Sequence, residues 1–118
     1  MGACLIAKSV GIKRKLVWSN PNPAATFSPQ TIELDLNSAF VIITARSSTN
    51  STVEFLFSAI PDGSTYMIWV AYYEIYFRDT IVSSTGIQFK DSYVRSSFKG
   101  AASINNGTMV PTKVWALS

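Results

Sequence analysis

From Thr31 the chain reads Thr-Ile-Glu-Leu-Asp-Leu, so Ile32, Leu34 and Leu36 fall on one parity and Glu33 and Asp35 on the other. Alternate side chains of a strand point to opposite faces, so this pattern predicts a strand over 31–36 with one buried face. Val53, Phe55, Phe57 and Ala59 alternate in the same way with Glu54, Leu56 and Ser58. Residues 40–46 are apolar on both parities at first, which predicts a central strand. Residues 110–116 predict a last strand, with Val110 and Val114 inward and Lys113 and Trp115 on the opposite face. Near the start, 3–9 predicts a short first strand. Residues 12–18 predict a second, with Ile12, Leu16 and Trp18 on one face and Lys13, Lys15 and Val17 on the other.

The runs are separated by turn chemistry. Ser19-Asn20-Pro21-Asn22-Pro23 must break a strand, because proline cannot donate to a sheet ladder. Asn37-Ser38, Pro61-Asp62-Gly63-Ser64, Ser83-Ser84-Thr85-Gly86 and Asp91-Ser92 predict turns, and 47–52 and 103–108 predict loops. Residues 66–82 are too long for one strand, since about 5–6 residues is usual, so they must bend or form two. Within 69–79, placing the charged Glu74 and Arg78 in water puts Tyr72 and Tyr76 outward with them. Trp69, Tyr73, Ile75 and Phe77 then face the core, unless a bulge intervenes. Helical periodicity is absent. The expected fold is all-β: one antiparallel β-sandwich over 1–118, jelly-roll-like, of eight or nine short strands, with 1–11 as an N-terminal arm or edge strand.

Composition sharpens this reading. A chain of 118 residues suits one domain that folds without a disulfide or metal. Cys4 is the single cysteine. Hydrophobic residues make up 47% and charged residues 14%, against about 25% charged in an average protein. Ser, Thr and Asn must cover the surface, or another subunit must, which points to a homo-oligomer. The net charge is +3, with one basic run, Lys13-Arg14-Lys15. A nucleic-acid surface spreads Lys and Arg over a face with interleaved aromatics. This run instead reads as the guard of an edge strand, and no nucleic-acid partner is expected. The longest apolar stretch, 66–73, is far below the roughly 20 residues of a membrane span. The first residues lack the charged start of a signal peptide and, with Ile6, the Ser or Thr of a myristoylation site.

The available chemistry is narrow. Histidine is absent, which removes the commonest general base and metal ligand. With one Cys as well, Ser-His-Asp and Cys-His sites are impossible and a zinc site is not credible. No catalytic residue, cofactor or metal is expected. Glu33 and Asp35 share a strand face within reach of a glycosidase pair, but they are read as the solvent side of an amphipathic strand. Binding remains. Tyr72, Tyr76 and Trp115 read as outward aromatics beside Arg78, a candidate ligand or interface face, since a ring can stack on a sugar or anchor a subunit.

Several segments carry a further signal. They are Leu16-Val17-Trp18-Ser19-Asn20, Phe27 through Leu36 with its Gln-Thr-Ile-Glu-Leu-Asp-Leu, Val41-Ile42-Ile43, and Tyr73-Glu74-Ile75. Gly86-Ile-Gln-Phe-Lys-Asp-Ser-Tyr93 and Val110-Pro-Thr-Lys-Val-Trp-Ala-Leu117 complete the set. Their order over 16–117 resembles a small domain at the C-terminal ends of tail and minor structural proteins of phages and prophages of Gram-positive bacteria. The chain departs from that pattern at Lys90 and Ser92, where the family usually has Gly, and at Trp115-Ala116, where it has Tyr-Gly. The resemblance implies a non-enzymatic virion protein at a tail, baseplate or capsid surface. Its implied partners are other virion subunits and a host cell-surface glycan. The alternative is a monomeric carbohydrate-binding module.

Overall fold

A computed structural model describes residues 13–36, 38–47, 49–58, 63–71, 73–96 and 102–117, with backbone alone at 63–65. The strands, in chain order, are β1 (Arg14–Ser19), β2 (Gln30–Glu33), β3 (Phe40–Arg46), β4 (Thr52–Ser58), β5 (Gly63–Ala71), β6 (Glu74–Ser83), β7 (Gly86–Ser96), β8 (Ala102–Ile104) and β9 (Val110–Leu117). The expected strand at 3–9, the Pro61-Asp62 part of a turn, Cys4 and Tyr72 lie outside the described residues.

Two antiparallel sheets pack face to face. The first has the order β1-β9-β3-β4 and the second β2-β7-β6-β5, with β8 also pairing with β7. The expected β-sandwich is therefore what forms. The chain changes sheet at β1–β2, β2–β3, β4–β5 and β8–β9, as a jelly roll does. By contrast, β3–β4 and β5–β6–β7 are hairpins within one sheet. Residues 66–82 form two strands, as their length required. Among the described residues no helix is long and apolar enough to cross a membrane.

The core lies between the sheets. Val41, Ile43, Ala45, Phe57, Val110 and Val114 come from the first sheet, and Met67, Val82, Ile87 and Phe89 from the second. Phe27, Leu36 and Met109 from connecting segments complete it. Each large apolar side chain so buried contributes about 1.5–3 kcal/mol. Ile32, Leu34 and Leu36 turn inward and Glu33 and Asp35 outward, as their alternation required. The strand label stops at Glu33, yet Leu34 and Leu36 still donate backbone hydrogen bonds to Thr85 and Ser84.

Gly86 makes that close approach possible. Its φ is +154°, and a Cβ there would stand 2.3 Å from the Ile32 carbonyl oxygen. Only glycine lets β2 lie directly against the two-residue Ser84-Thr85 turn.

Four local expectations are corrected. In β1 a register shift between Leu16 and Trp18 breaks the alternation. Val17 and Trp18 both pack on the core, while Leu16 is left outward. Asp91-Ser92 is no turn: β7 runs through it, with one extra residue bulged opposite the Arg78–Thr80 step of β6. Part of the loop expected at 103–108 is β8. The largest difference is at β6. Tyr76 and Arg78 face inward and Ile75 and Phe77 outward, the reverse of the expected parity. The turn between Ala71 and Glu74 ends one strand and begins another, so parity does not carry from Trp69 across it. Trp69, read from its own strand, does pack on the core as expected.

Candidate functional site

Arg78, expected at the surface, is fully buried. Its Nε donates to the Met109 carbonyl at 2.9 Å, its Nη1 to Lys90 O at 2.6 Å, and its Nη2 to Phe27 O at 3.2 Å and Thr108 O at 3.4 Å. The guanidinium also lies 5.4 Å from the centroid of the Phe27 ring. Burial pushes its pKa down to about 10, and Asp91 nearby opposes that fall. It stays charged at neutral pH. Four of its five N–H donors go to backbone oxygens that close the sandwich, and the side chain is buried, so Arg78 does not face a ligand.

The other expected face residues do not gather around it. Tyr76 packs on the core and its hydroxyl donates to Glu74 Oε1 at 2.7 Å. Trp115 does point outward, but from the first sheet, not the second. Arg14 reaches from β1 across that sheet to Glu54 on β4, with contacts of 2.7 and 3.2 Å. Its guanidinium carbon lies 5.1 Å from the Trp115 centroid, and Lys113 Nζ lies 5.7 Å from it. Trp115 Nε1 donates to Thr44 Oγ1 at 2.9 Å. Trp115 is thus a half-buried brace under two cations. Lys13 and Lys15 remain exposed beside Arg14 on an edge strand.

The surface the sequence reading missed is the outer face of the second sheet. Tyr66, Ile68 and Val70 of β5, Ile75 of β6 and Ile104 of β8 are all exposed there, between 39% and 63%. Ile68, Phe77, Tyr93 and Ile104 stand in register across four strands. The rings of Phe77 and Tyr93 are nearly parallel, 5.6 Å apart, and Tyr66 stands edge-on to Phe77 at 5.9 Å. The parity of β5 held the signal: once Met67 and Trp69 are assigned inward, Tyr66, Ile68 and Val70 must be outward.

Two hollows lie on this face. One, of about 510 Å³, has Tyr66, Phe77 and Tyr93 on its apolar side and Gln30, Gln88, Asp79, Lys90 and Asp91 on its polar side. It sits at the β7 bulge, where bulged strands bend away from the sheet plane. Lys90 Nζ is 3.6 Å from Asp79 Oδ2 across it, and Asp91 accepts from Asn106 Nδ2 at 2.9 Å. The second, of about 730 Å³, runs along Glu33, Asp35, Ser83, Ser84 and Thr85. Thr31 and Gln88 line both hollows, which makes them one trough. Glu33 and Asp35 stand exposed on its rim. Asn106 is held by its bonds to Asp91 and the Ser92 amide.

The edges differ as well. Among the described residues β5 pairs on one side only, with β6. It is nine residues long and contains no charged residue and no proline. The other outer strands are guarded or short. β1 carries Arg14 and Lys15, β4 carries Glu54, β2 has four residues and β8 three. No family model, curated protein or solved structure matches this chain.

Proposed function

We propose that this chain is a non-enzymatic structural module of a phage virion, assembled from copies of itself that join through β5. The observation that carries the proposal is the unguarded edge. Proteins that act as monomers blunt long edge strands with charge, proline or bulges, because a free row of backbone groups templates pairing with another chain. β5 has none of these, and its outward side chains Tyr66, Ile68 and Val70 are apolar and exposed. A second β5, antiparallel across a two-fold axis, satisfies the backbone groups and sets the apolar side chains of the two strands side by side. The low charged fraction, 14%, fits a surface that is covered on assembly.

The virion setting rests on the order of short motifs over 16–117. The non-enzymatic reading rests on the absence of histidine and on Arg78 and Tyr76 serving the interior. Mass spectrometry of phage particles purified from the source strain tests the setting. The chain is expected at the copy number of a structural subunit. Its absence from particles whose other proteins are detected contradicts the proposal.

A further inference from the structure

We infer that the trough on the outer face of the second sheet binds a neutral oligosaccharide. The inference takes its biological setting from the virion reading, while the trough stands on its own geometry. Three features select this ligand class.

The first is the aromatic corner. Phe77 and Tyr93 lie nearly parallel, and Tyr66 stands at 83° to Phe77. Tyr66, 51% exposed, presents ring surface to the apolar C–H face of a sugar ring over the apolar floor of the stacked Phe77–Tyr93 pair, and such a face stacks on aromatic rings as other apolar groups do. The second is the facing polar wall. Gln30 and Gln88 each carry an amide able to donate and accept, matching hydroxyl groups that also do both. The Asp79–Lys90 pair adds charged hydrogen-bonding groups of both signs.

The third feature is charge. Lys90 is matched by Asp79, Asp91 is engaged by Asn106, and Glu33 and Asp35 line the far end. The trough therefore carries more negative than positive groups, which disfavours phosphate-linked or carboxylated polymers. Its length points to a chain of sugars, since the two hollows share Thr31 and Gln88. Their volumes of about 510 and 730 Å³ lie in the range usual for small-ligand sites.

A glycan array carrying neutral and anionic oligosaccharides tests this, with each hit remeasured by calorimetry on the whole chain. Neutral glycans are expected to bind. Tyr66→Ala and Gln88→Ala, both at exposed positions, are each expected to weaken binding by about tenfold through loss of a stacking face or a hydrogen bond. Val70→Lys, on the β5 edge outside the trough, is expected to leave the affinity per site unchanged. No neutral hit overturns the inference. So does a preference for anionic glycans, or binding that survives both trough substitutions. A chain that assembles but binds no neutral glycan refutes the trough alone; one that binds glycan as a monomer refutes the assembly alone.

Discussion

A guanidinium inside a β-sandwich must find acceptors for its N–H groups, and Arg78 finds four in the carbonyls of Phe27, Lys90, Thr108 and Met109. Those carbonyls come from the segment before β2, the β7 bulge and the segment leading into β9. One side chain thus ties three otherwise irregular stretches to β6. Arg78→Met keeps the bulk and removes the donors. The carbonyls then lose their partner at about 1–3 kcal/mol each, offset in part by water that enters, so a net loss of at least about 3 kcal/mol is expected. Urea unfolding checks this, with the slope unchanged and the midpoint lowered. A loss below about 1 kcal/mol, ordinary for a surface change, would mean that these bonds do not hold the interior together.

Among the elements, the β6–β7 hairpin decides where β2 lies. Gly86→Ala forces a Cβ toward the Ile32 oxygen, only 2.3 Å away, at a φ that L-residues avoid. About 2–3 kcal/mol of destabilisation is expected. Hydrogen exchange should show the loss first in the Leu34 and Leu36 amides, which bond to this turn. Unchanged protection there would contradict the role given to Gly86. Most strands were legible because polar and apolar residues alternate cleanly, as at 31–36 and 53–58. What failed did so for two physical reasons. A bulge at Leu16–Trp18 and another in β7 shift parity without altering composition. Arg78 broke the rule that charge faces water, because backbone acceptors sit where its N–H groups point. That assumption, made together with Glu74 across a turn where parity resets, inverted the face of β6 and hid the Phe77–Tyr93 corner.

For the molecule as a whole, the surface divides by function. The outer face of the first sheet is tied down by the Arg14–Glu54 pair across Trp115. The outer face of the second carries the trough, and among the described residues its unpaired edge is β5. If β5 joins copies, the sheet continues from one subunit to the next and both troughs open on the same side. The most direct measurement is sedimentation velocity on the purified chain at tens of micromolar, beside Val70→Lys. Lysine on an exposed edge opposes strand pairing yet leaves the fold intact. The account predicts a dimer or larger species for the natural chain and a folded monomer for the variant. A natural chain that sediments as a monomer, or a Val70→Lys chain that remains assembled, contradicts it.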